Sequence, residues 1–250
     1  MFTLDNVISI RDKVRRNVLV STDHGLMIVN RFDCNHEMVG HGQWLLDHGS
    51  ASSYEVNVIY DYVRNISEPI IFDVGSNIGT FATFLAKLLP KSKIYCFEPQ
   101  RIIFQMLCGN LAINNFDNCY TYNIGLSNSD GFIKLKEPDY QQHVDFGTFS
   151  LINDIIEKTS GIEYMVQMMT LDSFFESFKI PKLNFLKIDV EGMDVEVLKG
   201  GKNTIKKYNP GILIEHSDNR RSILNEILDY LGLDNYNFKT YENNLLALPK

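Results

Sequence analysis

The ten residues from 70 to 79, IIFDVGSNIG, are the stretch that decides the fold. Its first half is an apolar run typical of a buried strand, and Gly75 and Gly79 then form a short turn. Residues 80–89 repeat apolar side chains at helical spacing and stop at Pro90, so a helix follows the turn. Glycines in such a turn accept positive φ and let a ligand approach the backbone beside the helix N-terminus. We therefore expect a strand, a glycine turn and a helix that hold a nucleotide-like group or an amino-acid carboxylate.

Apolar runs of strand length alternate with segments of helical period from about Glu68 onward. This alternation is typical of a parallel sheet with helices on both faces, so the sequence predicts an α/β fold with a doubly wound, mostly parallel sheet. Residues 138–161 are polar and mixed, and we expect them to form a lid or an insertion. Further strands are predicted at 93–97, 120–123, 133–135, 165–169, 184–189, 211–215, 238–241 and 245–248, and helices at 100–114, 174–178 and 195–208.

Residues 1–52 do not follow this alternation and are predicted to form a small N-terminal cap on a domain that spans residues 53–250. The cap is rich in glycine and histidine and contains the one tryptophan of the chain, Trp44. We interpret Trp44 as a hydrophobic anchor or, alternatively, as a stacking platform for a sugar ring. A zinc site is not expected, because no helical i, i+4 ligand pair with an acid is formed by the cap histidines His24, His36, His41 and His48.

The composition is that of a soluble globular protein with a formal net charge of -7. This acidic balance gives no electrostatic reason to bind nucleic acid or an anionic membrane, so a small or neutral partner is expected. The four cysteines form no CxxC pair, which favours a reducing, cytoplasmic setting. No apolar run approaches the ~20 residues that span a bilayer, and residues 1–20 are too charged for a signal peptide. The oligomeric state stays open.

Glu98 is placed where its side chain could bind the ribose of a nucleoside. Glu98 follows Asp73 by 25 residues and ends the next predicted strand, where a carboxylate can accept hydrogen bonds from both ribose hydroxyls. The spacing G-x-x-x-G replaces the dinucleotide fingerprint G-x-G-x-x-G, which favours an adenosine ligand without a pyrophosphate. The alternatives are a nicotinamide-dependent oxidoreductase of the same architecture and a non-catalytic interaction module. Acids at several predicted strand ends argue against the module, since a site without chemistry has no need of them.

Short motifs along the chain match one known family in their order. They are DVGSNIG at 73–79, FEP at 97–99, GLSN at 125–128 followed by Gly131, TLD at 170–172, LKIDVEG at 186–192, VLKGG at 197–201 and PGILIE at 210–215. With these motifs the chain resembles the FkbM family of methyltransferases, within the class I Rossmann-like group, over about residues 54–248. The LKIDVEG block is the specific part. Two departures are Ser76, where the family commonly has alanine, and Met193-Asp194, where it commonly has an aliphatic or polar residue followed by glutamate.

The resemblance implies methyl transfer from S-adenosylmethionine, most often to a hydroxyl oxygen of a sugar, a polyketide or a related secondary metabolite. It places the turn at residues 73–79 at the methionine end of the cofactor, Glu98 at the ribose and residues 123–126 around the adenine. Asp189 is expected to face the amino group of the cofactor or the site of methyl transfer. The expected cofactor-binding residues are thus Asp73, Gly75, Ser76, Asn77, Gly79, Glu98, Pro99, Asn123, Gly125, Leu126 and Asp189.

Methyl transfer to a hydroxyl also requires a group that takes up the hydroxyl proton, either a general base or a metal ion that lowers the hydroxyl pKa. A metal-free mechanism is favoured; if Mg²⁺ takes part, Asp189 and Glu215 are its expected ligands. Lys187 shares a strand face with Asp189, so it is either catalytic or forms a structural ion pair with Asp189 or Glu191. The other candidates, which follow neighbouring predicted strands, are Asp189, Glu191, Glu215 and His216.

Overall fold

The structure, a computed structural model, describes residues 15–34, 40–51, 53–147, 159–215, 231–232, 235–241 and 244–250. Its strands are β1 (Asn17–Thr22), β2 (Gly25–Asn30), β3 (Ile70–Val74), β4 (Lys93–Phe97), β5 (Cys119–Tyr122), β6 (Gly125–Leu126), β7 (Gly131–Pro138), β8 (Thr159–Met169), β9 (Phe185–Ile188), β10 (Gly211–Glu215), β11 (Tyr236–Tyr241) and β12 (Asn244–Pro249). Its helices are α1 (His41–His48), α2 (Ser53–Val63), α3 (Thr80–Leu88), α4 (Arg101–Ile113), α5 (Leu171–Phe178), α6 (Asp194–Gly200) and α7 (Lys202–Tyr208). Among these residues, no helix has both the length and the apolar character that a membrane crossing requires.

A seven-stranded sheet forms the centre of the described part of the chain, in the order β5-β4-β3-β9-β10-β12-β11. Strands β3, β4, β5, β9 and β10 run parallel, whereas β12 is antiparallel to both β10 and β11. The chain moves outward in one direction from β3 and in the other direction from β9, so the strand order reverses between these two strands. In open α/β sheets, ligands bind beside the carboxyl ends of the strands at such a switch point. The predicted doubly wound, mostly parallel α/β fold is confirmed.

Alternate residues of β3 belong to two different hydrophobic clusters. Phe72 packs in one cluster with Phe174 of α5, and Ile71 packs in the other with Leu85 of α3 and Leu107 of α4. All five residues of β3 are therefore buried. Burial on both faces explains why this strand has an unbroken apolar sequence rather than an alternating one.

The N-terminal strands β1 and β2 form an antiparallel hairpin outside the central sheet, and α4 holds it. Asn110 accepts a hydrogen bond from the backbone N–H of Ile28 and donates one to its carbonyl at 3.1 Å. Asn114, one turn further along α4, does the same with Leu26, at 2.9 and 2.7 Å. The second edge of β2 has no neighbouring strand among the described residues, and the two carboxamides supply the backbone hydrogen bonds that such a strand would make. These contacts dock the N-terminal hairpin on the helix that follows Glu98.

Strand β8 begins at Thr159, earlier than the predicted start at residue 165. It pairs antiparallel with β7 and parallel with β6 in a separate three-stranded sheet. The first five residues of β8 are exposed, so the sequence carries no alternation of apolar and polar residues that would mark them as a strand. The predicted loop at 138–161 is thereby shortened at its C-terminal end, and residues 148–158 lie outside the described residues.

The single helix predicted at 195–208 is wrong: α6 and α7 are separate helices that meet at Gly200 and Gly201. A Cβ atom on Gly200 would lie 2.0 Å from the carbonyl oxygen of Ser127, so the backbone passes too close there for a side chain. Asp172 then accepts hydrogen bonds from the backbone N–H groups of the second and third residues of α7, at 3.1 and 2.7 Å. These bonds satisfy N–H groups that have no partner inside the helix, so α7 has a start of its own.

Two charged side chains lie inside the central sheet. Asp73 of β3 and Lys187 of β9 are register neighbours, and Nζ of Lys187 lies 3.1 Å from Oδ1 of Asp73. The Asp73 side chain is fully buried and that of Lys187 is 10% exposed. Asp189, directly after β9, contacts the same ammonium at 3.1 Å. One ammonium therefore contacts two carboxylates, and of the two ion-pair partners that the sequence allowed for Lys187, Asp189 is the one in contact.

Replacing Asp172 by alanine removes both N–H acceptors at the start of α7. We expect the D172A variant to lose about 1 to 2 kcal/mol of unfolding free energy, because two helix N–H groups lose a charged acceptor. Urea denaturation followed by circular dichroism measures the loss. The control is E176A, a substitution on the exposed side of α5, which we expect to shift stability by less than about 0.5 kcal/mol. Equal losses in the two variants would contradict the capping role of Asp172.

Replacing Lys187 by methionine leaves Asp73 buried without its cation. We expect K187M to lower the unfolding free energy by about 3 to 5 kcal/mol, the usual cost of removing one partner of a buried ion pair. The same denaturation measurement tests this, with K93M at the exposed start of β4 as the control. A K187M protein as stable as K93M would show that the charge of Asp73 is accommodated in another way.

Candidate functional site

A cleft opens at the carboxyl ends of β3, β4, β9 and β10, where the strand order reverses. The space between its walls amounts to about 920 Å³, part of which is open solvent. One end is apolar and the other end carries carboxylates. The residues predicted from the sequence that line this cleft are Gly75, Asn77, Glu98, Pro99, Gly125, Leu126, Asp189, Glu191 and Glu215.

The glycine turn after β3 crosses directly beneath the backbone that follows β9. A Cβ atom on Gly75 would lie 1.7 Å from the carbonyl oxygen of Asp189, and Gly75 has φ +81°, so only glycine fits here. The backbone N–H groups of Gly75 and Ser76 both donate to the carbonyl of Phe97, and that of Asn77 donates to Glu98. The turn therefore offers a ligand close approach to the backbone, while these three N–H groups already have acceptors within the protein.

Glu98 is the buried acid at the centre of the cleft. Its side chain accepts hydrogen bonds from the backbone N–H groups of Gln100 at 2.8 Å and Asn77 at 2.9 Å, one on each carboxylate oxygen. Burial raises the pKa of Glu98 to about 7, although these two N–H groups favour the charged form. Each oxygen keeps a second lone pair, so the carboxylate can still accept hydrogen bonds from a ligand.

The apolar end of the cleft lies beside Glu98. Phe97, Ile124 and Leu126 line it together with Met193. Asn123, predicted to contact the adenine, does not line the cleft; its amide donates to the carbonyls of residues 98 and 99 at 2.8 and 3.1 Å. Asn123 therefore fixes the backbone around the buried acid, and the flat apolar surface is provided by its neighbours.

Three carboxyl groups converge at the other end. Oxygen atoms of Asp189, Glu191 and Glu215 lie within 4.8 Å of one another, an arrangement that can also hold a metal ion. A hydrogen bond with Asp189, together with burial, raises the pKa of Glu215 well above its usual value. Burial alone would raise the pKa of Asp189, but Lys187 and the hydrogen bond from Glu215 lower it. Asp189 is thus the anion of this pair, and Glu215 carries the proton.

Lys187 lies below this end of the cleft. Its ammonium contacts Asp73 and Asp189, donates to the carbonyl of Gly75 at 3.3 Å and lies 5.0 Å from the ring centroid of Phe81. Burial would lower the pKa of Lys187, but the two carboxylates more than offset this and raise it. Lys187 therefore stays protonated, so the structure supports an orienting role and gives it no free lone pair for catalysis.

A second cavity of about 610 Å³ adjoins the cleft and shares His41, Gly75, Asn77, Asp189 and Glu215 with it. Its remaining walls include Glu55, Thr80 and Asn244. Of the residues predicted from the sequence, Ser76 and Lys187 line only this second cavity, and Asp73, Gly79 and Asn123 line neither. His216 lies outside the described residues.

Several residues that line the cleft have no motif in the sequence. They include Gly40, His41, Gln100, Asp145 and Gly147. Asp33 joins the segment of Gly40 and His41 to the segment of Asp145 and Gly147. Its carboxylate accepts hydrogen bonds from the backbone N–H groups of residues 42 and 146, at 2.7 and 2.9 Å. No spacing in the sequence indicates this contact, since the two segments are about a hundred residues apart along the chain. The buried cap histidine, His24, has a structural role: its Nδ1 donates to the carbonyl of Thr80 and its Nε2 accepts from the N–H of Ala51.

Comparison with known proteins identifies the family. The model of the methyltransferase FkbM domain matches residues 73–240. The hexuronic acid methyltransferase AglP of Haloferax volcanii is 31% identical over 150 residues, which cover 60% of this chain and 57% of AglP. The 2-O-methyltransferase NoeI of Sinorhizobium fredii is 24% identical over 159 residues, covering 60% of this chain and 64% of NoeI. The chain thus spans less than two thirds of the length of either relative.

A solved structure agrees with this at the level of the fold. The methyltransferase FkbM of Methylobacillus flagellatus superposes with a TM-score of 0.50 at 18% sequence identity, over 72% of this chain and 43% of the other. Since the FkbM domain match covers well over half of the residues and includes the glycine turn, Glu98 and Asp189, the chain belongs to the FkbM methyltransferase family.

Proposed function

We propose that this protein is an S-adenosylmethionine-dependent methyltransferase that methylates a hydroxyl oxygen of a sugar, a glycan or a secondary metabolite. The observation that carries the proposal is the polarity of the cleft. An apolar end, a buried acid and a cluster of carboxyl groups follow one another along the switch point of the sheet. This order matches a ligand with an aromatic base, a ribose and a positively charged end.

The residues present fit S-adenosylmethionine. Phe97, Ile124 and Leu126 provide apolar surface for the adenine, and the free lone pairs of Glu98 suit two ribose hydroxyls. The cofactor carries positive charge on its sulfonium and its ammonium, and the Asp189–Glu215 pair supplies negative charge at that end of the cleft. When bound, the sulfonium supplies a methyl group that is already activated.

The chain's own contribution is mainly alignment. In-line displacement gains most of its rate when the reacting atoms are held in position, so rigid walls matter more than strong acids or bases. Lys187 orients Asp189 through a 3.1 Å contact, and Gly75 brings the turn against the backbone of Asp189. We propose that Glu191 and Glu215, together with His216, border the acceptor side. The mechanism that we propose is metal-free, with Asp189 and Glu215 as ligands if Mg²⁺ takes part.

The names of the two relatives support the acceptor class. One is a hexuronic acid methyltransferase and the other a 2-O-methyltransferase. We infer that the acceptor of this protein is likewise a hydroxyl-bearing small molecule or glycan rather than a nucleic acid, and the net charge of -7 agrees with this.

Two further assignments belong to the same proposal. Residues 1–52 form a cap and residues 53–250 the S-adenosylmethionine-binding domain; the hairpin held by Asn110 and Asn114 supports this division. The protein acts in the cytoplasm, which is supported by its four cysteines, all of them free thiols.

Calorimetric titration tests the cofactor. We expect saturable binding of S-adenosylhomocysteine, no binding of NAD or NADP, and the same affinity with and without Mg²⁺. Transfer of an isotopically labelled methyl group is then measured to a methyl hexoside, the matching amino sugar and the matching uronic acid. Binding of NAD instead of S-adenosylhomocysteine would overturn the proposed function. Binding of S-adenosylhomocysteine without transfer to any of these sugars would contradict only the sugar acceptor.

The affinity for S-adenosylhomocysteine should depend on pH through Glu98. The carboxylate form accepts hydrogen bonds from the ribose hydroxyls and the protonated form does so poorly, so affinity falls as the pH drops through the Glu98 pKa of about 7. For one such group we expect about a tenfold larger dissociation constant at pH 6 than at pH 8. E98Q should bind more weakly at pH 8 and lose this dependence, whereas E176Q on α5 should keep it. A wild-type affinity that is flat between these pH values would remove Glu98 from the ribose site.

A further inference from the structure

We propose that His41, from the N-terminal cap, is the general base that takes up the proton of the acceptor hydroxyl, with Nδ1 as the accepting atom. This inference rests on the proposed function and adds a catalytic group that lies outside every family motif in the sequence. His41 is the first residue of α1, and it lines both the cleft and the adjoining cavity. It thus lies where the two cavities meet, next to Gly75 and Asp189.

The contacts of Asn77 define the protonation of the imidazole ring. The Asn77 side-chain oxygen accepts a hydrogen bond from the N–H of Ile78 at 2.7 Å, which fixes the orientation of its amide. The amide nitrogen therefore faces Nδ1 of His41, at 3.4 Å, and acts as the donor. In this tautomer Nδ1 carries a lone pair and Nε2 carries the proton. The bond to Asn77 is long, so a substrate hydroxyl can replace it.

This nitrogen lies among other polar groups of the cleft wall. Gly147 lines the cleft opposite His41, and a Cβ atom there would lie 3.6 Å from Nδ1 of His41. The same point is 3.2 Å from the amide nitrogen of Asn77 and 3.2 Å from Oδ1 of Asp145. The side chains of His41, Asn77 and Asp145, which come from separate segments, thus converge beside Gly147 at the wall of the cleft.

Asp33 fixes the position of the backbone around His41. Asp33, which is buried, accepts hydrogen bonds from the N–H groups of Gly42 at 2.7 Å and Phe146 at 2.9 Å. The first turn of α1 and the segment before Gly147 are therefore attached to the same carboxylate. A base must be fixed within hydrogen-bond reach of the proton that it accepts. Asp33 fixes the backbone next to His41, through Gly42, and the backbone next to Gly147, through Phe146.

Three of the acids that line the cleft are less suited to this role. Asp189 is engaged by the ammonium of Lys187 at 3.1 Å, and Glu215 is engaged by its hydrogen bond with Asp189. Glu98 uses one lone pair of each oxygen for backbone N–H groups beside the apolar end. His41 is the one histidine among the described residues that line the two cavities.

The proposed step transfers a methyl group to the acceptor oxygen and a proton to His41. The acceptor oxygen forms a bond to the methyl carbon while the carbon–sulfur bond breaks, and the electron pair of that bond stays on sulfur, which becomes a neutral thioether. The hydroxyl proton passes to Nδ1 of His41, and the imidazolium returns it to water after the product leaves. Several titratable groups surround His41. Asp33 lies behind it, the cleft is lined by Glu98, Asp145, Asp189, Glu191 and Glu215, and the second cavity is also lined by Glu55 and Lys187.

The test compares H41Q with H48Q, its matched control on the exposed end of the same helix. Rates are measured with the sugar of the panel above that the wild-type protein methylates fastest. We expect H41Q to lower kcat by about 100-fold, the lower range for loss of a general base, with an unchanged dissociation constant for S-adenosylhomocysteine. The wild-type and H48Q proteins should show a rise of kcat with pH that H41Q lacks. A kcat of H41Q within twofold of wild type, or an unaltered pH profile, would overturn the proposal.

A second measurement needs no acceptor. The imidazole carbon–proton NMR signal of His41, assigned by its absence in H41Q, should shift when S-adenosylhomocysteine saturates the protein, whereas the His48 signal should stay in place. If S-adenosylhomocysteine binds in calorimetry but the His41 signal does not move, His41 is not beside the reacting group and the inference is wrong, while the proposed function stands. Failure of S-adenosylhomocysteine to bind the wild-type protein would instead remove the proposed function on which the inference rests.

Discussion

The ammonium of Lys187 is the contact on which the rest of the site depends. It lies in the middle of the central sheet at 3.1 Å from both Asp73 and Asp189, and an unpaired charge at this depth would cost roughly 3 to 5 kcal/mol. Asp73 precedes the glycine turn and Asp189 directly follows β9, so this one contact joins the two strand ends between which the strand order reverses. The turn then passes so close to the carbonyl of Asp189 that glycine is required at position 75. Two motifs that are more than a hundred residues apart in the sequence are therefore parts of one charged contact.

This contact also sets the charge of the cleft. Because Lys187 stays protonated, Asp189 stays anionic and Glu215 can keep a proton in the hydrogen bond between them. A third carboxyl group, that of Glu191, comes within 4.8 Å of this pair, which three independent anions would resist. Negative charge is thus concentrated at one end of the cleft with less electrostatic repulsion than three carboxylate anions would have. A cofactor whose reacting atom is a sulfonium gains from such a field, so the buried ion pair links the stability of the sheet to the chemistry of the site.

The sequence was sufficient for the parts of the fold that depend on local pattern. The unbroken apolar run of β3, the glycine turn and the alternation of strands and helices predicted the sheet, and the spacing of Glu98 predicted a buried acid in the cleft. It was misleading where a tertiary contact overrides local preference. Residues 195–208 have helical character throughout, yet Gly200 must pass against the carbonyl of Ser127, and the helix breaks there. The exposed start of β8 carried no alternation, so its pairing with β7 was not predicted.

The residues that the sequence missed share one physical cause. His41, Asp145 and Gly147 reach the cleft only because Asp33 binds the backbone on both sides of them, and a carboxylate that accepts two backbone N–H groups has no sequence signature. The family motifs position the end of the cleft that suits a common cofactor, and these motifs lie on strand ends that the sheet holds rigid. The opposite wall is built from segments that are joined by contacts such as those of Asp33 and the bond from the Gln100 side chain to the carbonyl of Phe146, so it can change between relatives without disturbing the sheet. We infer that acceptor selectivity and proton transfer belong to that wall, where Nδ1 of His41 accepts only a long hydrogen bond, from Asn77, that a substrate hydroxyl can replace.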